Sequence, residues 1–273
     1  RFLAALVNAA VTFLTAAAII GEGNSSAKGF IALALAGAAA GFVDAIAGGG
    51  GMITLPAVLL TGLPPHVALG TNKGQAVFGS GAALFRFARS PLFDRRRARA
   101  GILPALIGSM MGVALVARVP PRVLTPLVMA LLLLVALLLL FRRPPVSARP
   151  RVTRGAWLAA LIAFAIAAYD GFFGPGTGTF LIVAYVGLWG DPFDTASANA
   201  KLVNFCSNAG ALAVFAARGL TLWPVSLAMG TGEIVGAFAG AHVAIRRGQG
   251  FVRWVVIVVS MALVARLAWQ LLR

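Results

Sequence analysis

Lysine is nearly absent from this chain. Of 23 Lys and Arg in 273 residues, three are Lys, at positions 28, 73 and 201. Acid is scarce too, with seven Asp and Glu against 23 bases and a formal net charge of +16. A soluble domain carries about 25% charged residues, whereas this chain carries 11% and is 60% hydrophobic. The single cysteine, Cys206, excludes an internal disulfide and a Cys-based metal site. Packing is its expected role, as for most free cysteines. The two histidines, His66 and His242, lack ligand spacing, so neither a metal nor a cofactor is expected. No phosphate-binding Walker sequence occurs, which argues against ATP hydrolysis by the chain itself.

What is abundant is apolar sequence. Runs near the length that spans a bilayer recur throughout, the clearest from Leu127 to Phe141. The gaps between them are too short for a soluble domain. The chain therefore reads as an all-α polytopic membrane protein, embedded in lipid. Its positive charge does not point to a nucleic-acid partner. The Arg residues gather in short loops, Arg95, Arg96, Arg97 and Arg99, then Arg142, Arg143, Arg149, Arg151 and Arg154. Membrane proteins mark their cytoplasmic side in this way. Trp157, Trp189, Trp223, Trp254 and Trp269 mostly fall near predicted helix ends, where interfacial anchors sit. Residues 1–20 read as a first membrane helix, with Asn8, Thr12 and Thr15 on one face.

The rest divides into two similar halves. Gly62-Leu63-Pro64 matches Gly190-Asp191-Pro192 at an offset of 128, which also pairs Lys73 with Lys201, Leu84 with Leu212 and Phe87 with Phe215. Asp44 pairs with Asp170 and Gly48 with Gly174 at 126, and Gly108 and Gly112 pair with Gly232 and Gly236 at 124. The predicted layout is an N-terminal helix and loop (1–28), a membrane repeat (29–141), an Arg- and Pro-rich cytoplasmic linker (142–154) and a second repeat (155–273). Each repeat has a helix (30–47, 155–173), a Gly-rich break and a short apolar helix (52–61, 177–188). Three long helices complete it (66–88, 99–117 and 122–141; 195–217, 221–245 and 251–272). The helices around each break could form a re-entrant hairpin. Arg95 to Arg99 follow the first long helix of one half, but Arg218 alone occupies that loop in the other. The next loops reverse the pattern, with Arg118 and Arg122 against Arg246, Arg247 and Arg253. That reversal predicts inverted topology, a recurring secondary-transporter design.

The breaks point to a site. The first is Gly48-Gly49-Gly50-Gly51 and the second Gly174-Pro175-Gly176-Thr177-Gly178. Each Gly costs a helix about 1 kcal/mol relative to Ala, and Pro lacks the amide hydrogen a helix needs. Irregular backbone at membrane depth belongs beside a cavity or inside protein. Amides freed at the start of the next helix suit an anion, which makes Gly49, Gly50, Gly51, Gly176, Thr177 and Gly178 candidates. Lys73 and Lys201 lie in apolar stretches at matching places. Arg stays charged at any physiological pH, whereas Lys can give up its proton when desolvated. Ser197, Lys201, Asn204 and Asn208 share one helical stripe, and Lys73, Ala76 and Ser80 its counterpart, with Asn72 and Gln75 beside them. Ammonium, amides and hydroxyls together can replace the water around an oxyanion. Asp44 and Asp170 precede the breaks and could carry coupling protons or simply pair with the two Lys. Glu233 faces no acidic repeat mate, because Ser109 takes that place, and it is a further proton-relay candidate.

The stretch Gly41-Phe42-Val43-Asp44-Ala45-Ile46-Ala47-Gly48-Gly49-Gly50-Gly51, its second copy and Gly70-Thr71-Asn72-Lys73 resemble the sulfite exporter TauE/SafE family. The resemblance covers nearly everything after residue 29. The second copy departs from the usual Gly-Gly-Gly. The resemblance implies an exporter of sulfite or another small sulfur-containing or organic anion in the bacterial inner membrane, not an enzyme. Such a carrier could be proton-coupled or driven by the membrane potential. A passive anion channel fits the same residues. An intramembrane aspartyl protease using Asp44 and Asp170 fits poorly, since Gly-x-Gly-Asp is missing and two Lys would have no use. Monomer and homodimer both stay open.

Overall fold

The computed structural model describes residues 27–60, 63–124, 126–128, 130, 131, 134 and 156–271. The predicted N-terminal helix and the linker lie outside the described residues, and the predicted helix 122–141 falls within them only in part. The described residues contain helices and no strand.

Helix α1 (Ala27–Ala47) ends at a two-residue break, Gly48 and Gly49, and α2 (Gly50–Leu60) begins at once. The predicted four-glycine break is thus shorter. Gly50 and Gly51 form the first turn of α2, because the Asp44 carboxylate accepts from the Gly50 N–H at 3.2 Å and satisfies an open end. Gly48 turns the chain with a φ of 72°, a conformation that favours glycine. Then follow α3 (Pro65–Phe87), the short α4 (Arg95–Ala100) and α5 (Ile102–Val116). Beyond the linker come α6 (Ala156–Phe172) and α7 (Thr177–Ala184), which runs into a π turn over Tyr185–Trp189. Next are α8 (Phe193–Ala217) and α9 (Trp223–Leu271). Gly248, at φ 69° and ψ −170°, splits α9 between the two helices predicted there. α3 and α8 start alike. Pro64 and Pro192 precede them with φ near −55° (−53° and −56°) and ψ of 140° and 149°, leaving the helix to begin where a missing N–H costs nothing.

Small residues set the packing. A Cβ at Gly232 or Gly236 of α9 would overlap the carbonyl oxygens of Ala34 and Ala38 in α1, and one at Gly240 would crowd that of Phe42. These contacts advance together along both chains, so α1 and α9 run parallel. Gly70, Gly74 and Gly79 of α3 meet Leu220, Ser226 and Glu233 in the same sense. On the other side, Gly108 and Gly112 of α5 meet Phe164 and Ala168 of α6, and α8 runs along α5 likewise, with Val203 at Gly101 and Gly210 at Leu106. Such close approach is what binds helices where lipid offers no hydrophobic drive. α1 and α3 thus pack on α9, α6 and α8 on α5, and α3 meets α8 at the centre.

Among the described residues, Ala98–Val116, Phe193–Ala217 and Trp223–Gly248 are long and apolar enough to cross a membrane. α3 has the length but not the apolarity, since Thr71, Asn72, Lys73, Gln75 and Ser80 interrupt it. All five are buried. Protein, not lipid, surrounds its polar face, which is where membrane proteins keep such groups.

Candidate functional site

The ends of α1 and α6 meet the middles of α3 and α8. Lys73 of α3 lies 2.7 Å from Asp170 of α6, and Lys201 of α8 lies 3.1 Å from Asp44 of α1. Each Lys therefore pairs with the acid of the other half. Both members of the Lys73–Asp170 pair are 2% exposed, whereas Asp44 keeps 20%. Taking two charges out of water is costly, and further hydrogen bonds are needed to offset it. Asp170 has them from the hydroxyls of Thr177, at 2.7 Å, and Ser207. Lys73 donates also to Asn208 Oδ1 at 3.0 Å.

Lys201 does a second thing. It donates to the main-chain oxygen of Asp44. Ser197 Oγ lies 3.2 Å from the carbonyl oxygens of both Ala45 and Ile46, and Thr179 Oγ1 donates to that of Ala47 at 2.7 Å. The last four carbonyls of a helix have no partner within it. Here side chains from α7 and α8 answer all four, and the ammonium stands at the negative end of the helix dipole. α1 can stop at membrane depth because another half of the chain caps it. At the second break Tyr169 Oη donates to the carbonyl of Pro175 at 2.6 Å.

Between these pairs lies a cavity of about 30 Å³, on a scale where one buried water takes about 10–15 Å³. Asp44, Gly50, Gly51, Asn72, Lys73, Asp170, Thr177, Gly178, Asn204, Asn208 and Glu233 line it. The remaining predicted residues, Gly49, Gln75, Gly176 and Lys201, stand outside its wall. Gln75 bridges to Asn72 at 2.8 Å, Gly176 takes the left-handed turn that opens α7 at φ 86°, and Lys201 holds Asp44 from behind. Gly48, Thr54, Ala76 and Gly174 also line the cavity. Thr54 donates to Asn72 Oδ1 at 2.6 Å, fixing that amide. Its sequence signal was faint, a lone hydroxyl one turn inside an apolar helix. Ser207 gave none, because the stripe through Lys201 passes it by. No group of three or more His, Cys, Asp or Glu among the described residues could hold a metal. His66 Nε2 sits 3.1 Å from the Val116 carbonyl oxygen at the end of α5.

A bundle of apolar helices, broken in its middle around a small polar cavity, has the layout of a membrane transporter. The protease alternative fails on the same geometry, since each Asp faces a Lys. The family model described as sulfite exporter TauE/SafE matches residues 33–267, and the chain belongs to that family. A probable membrane transporter protein, ORF9, of Sinorhizobium sp is 41% identical over 84% of this chain and 88% of its own. One from Haemophilus influenzae is 37% identical over 86% and 92%. Another, YfcA of Escherichia coli K12, is 36% identical over 85% and 86%. No solved structure matches the chain at a significant level.

Proposed function

We propose that the chain exports a small anion, sulfite or a related organosulfur or sulfonate anion, across the bacterial inner membrane by alternating access. The observation that carries this reading is Lys73 in the cavity wall. An ammonium has three donors. Among the described residues Asp170 and Asn208 engage two of them, and the third is left for a ligand. The Asn72 and Asn204 side-chain amides border the same space, their oxygens already accepting from Thr54 and Gln75 and from Asn208 and their N–H groups remaining to donate. They offer what an oxyanion needs on leaving water. The cavity's size favours an ion of a few atoms. The family's description and the bacterial sources of its relatives support the substrate class and the membrane.

We read the halves as inverted repeats that exchange roles. The reciprocal Lys–Asp pairs support this, as do the parallel contacts of α1 and α3 with α9 and of α6 and α8 with α5. α5 follows α3 after a short connection that reverses the chain, so α8, parallel to α5, runs against its repeat mate α3. In this state Lys73 lines the cavity and Lys201 caps α1. In the state open to the other side Lys201 faces the anion and Lys73 is tied away. Inverted repeats commonly serve alternating access in this manner.

The test is anion-dependent thermal stabilisation of the purified protein in detergent, across sulfite, thiosulfate, sulfonates, sulfate and small carboxylates. An anion at 100 times its Kd should add about 2.7 kcal/mol. A selective shift that Lys73→Ala abolishes supports the site. No shift with any anion, or one that survives Lys73→Ala, returns Lys73 to a purely structural role.

A further inference from the structure

The cavity wall holds more acid than base. Asp44, Asp170 and Glu233 face it, against Lys73. Lys201, behind Asp44, supplies the second ammonium. Each Asp is matched to a Lys, and among the described residues no ion pair reaches Glu233. Glu233 is 5% exposed, and one of its carboxylate oxygens fills the space that a Cβ at Gly79 would need. The charged groups acting on it from packed helices are Asp44 of α1 and Lys201 of α8. Lys73 of α3 and Asp170 of α6 share its cavity. Its own helix brings no other titratable side chain within two turns, His242 lying further along. Its repeat mate, Ser109, is buried and uncharged, so the surplus acid belongs to one half alone.

With all five groups ionised, two ammoniums against three carboxylates leave one negative charge before any ligand arrives. An anion would make it two in a small space where water screens little, and like charges repel strongly there. One proton cancels the anion's effect on the balance. We propose that Glu233 takes up a proton whenever the cavity takes up the anion, and that the two cross together. The proton passes from water on the open side to a Glu233 carboxylate oxygen, and returns to water on the other side as the anion leaves. A univalent anion then crosses with no net charge, so its flux follows the anion and proton gradients and not the membrane potential. This rests on the anion reading above and names its coupling ion.

The test uses the purified chain in liposomes with a trapped pH dye and an imposed potassium diffusion potential. The probes are methanesulfonate and thiosulfate, which carry no proton near neutral pH, and sulfite, which does. The expected result is interior acidification with each anion that enters, at a rate that the potential leaves unchanged for methanesulfonate. In Glu233→Gln the acidification should fall at least tenfold, and the remaining flux should answer to the potential. Anion entry without acidification overturns the proposal, as does wild-type methanesulfonate flux that an interior-positive potential accelerates. That wild-type arm decides even where Glu233→Gln does not fold. Acidification confined to sulfite while the other anions also cross puts the proton on the substrate and overturns the role of Glu233. If sulfite alone crosses, acidification that persists in Glu233→Gln does the same. No flux with any of the three sinks the anion reading itself, and this inference with it.

Discussion

Lys73 and Asp170 cannot be judged singly. Removing one partner of a buried pair strands the other, which costs about 3–5 kcal/mol, whereas removing both can cost far less. Lys73→Met and Asp170→Asn should each lower thermal stability in detergent by such an amount. The double variant should lose clearly less than the two together. Additive losses would mean that the 2.7 Å contact contributes no coupling. Lys73→Arg should impair transport nearly as much as Lys73→Ala. The Lys73 Nζ is held 2.7 Å from Asp170 and 3.0 Å from Asn208 Oδ1, contacts that the larger, planar guanidinium has to rearrange, and it cannot shed its charge. Flux measured in liposomes decides this, and substantial flux in the Arg variant removes the case for a specific need for lysine. The scarcity of lysine made these two residues legible in sequence. Their partners were not, because Asp44 could as well have met Lys73 as Lys201. Only the crossing of α1 and α6 to opposite halves chose between them.

At the scale of the helix, the breaks are the costly elements, and α1 is stable only while its carbonyls are answered. A buried acceptor left without a partner costs about 1–3 kcal/mol. Ser197→Ala removes the side-chain donor from the carbonyls of Ala45 and Ile46 and should lower thermal stability by that order. Proteolysis or hydrogen exchange should show the loosening first near the first break. Unchanged protection there would mean that Lys201 and Thr179 hold the end without it. The same scale explains an error of extent in the sequence reading. Four glycines in a row imply a four-residue break, yet two of them are helical, because the Asp44 carboxylate caps α2 from six residues upstream. The parallel pair α1 and α9 gives a sharper test. Gly236→Val, whose Cβ alone would overlap the Ala38 carbonyl, should prevent stable folding or cost several kcal/mol, as overpacking without room to relax does. A near-normal melting temperature would show that α1 can retreat from α9.

At the scale of the molecule, inverted repeats make a statement about sidedness. The connections after α3 and α8 correspond at an offset of 128, and the proposed opposite topology would put them on opposite sides of the membrane. Single cysteines at Ser90 and Arg218 test this in a Cys206→Ser background, the native thiol being buried. An impermeant maleimide should label Ser90→Cys from the cytoplasmic side and Arg218→Cys from the opposite side. Labelling of both from one side ends the inverted-repeat proposal, and the exchange of roles between the two lysines with it.

The sequence by itself determined the solvent, the helices and the neighbourhood of the site. Apolar length decides membrane residence, glycine and proline decide where a helix stops, and a rare charge in an apolar run has to face protein. None of these needs knowledge of what packs against what. The tertiary structure alone decided which acid meets which lysine, that Lys201 caps α1 while Lys73 lines the cavity, and that Glu233 is the carboxylate left over. Those depend on contacts between groups far apart in the chain, such as Lys73 with Asn208 at a separation of 135. Periodicity along a helix names the face a residue occupies, but the partner on that face is set by how the helices cross.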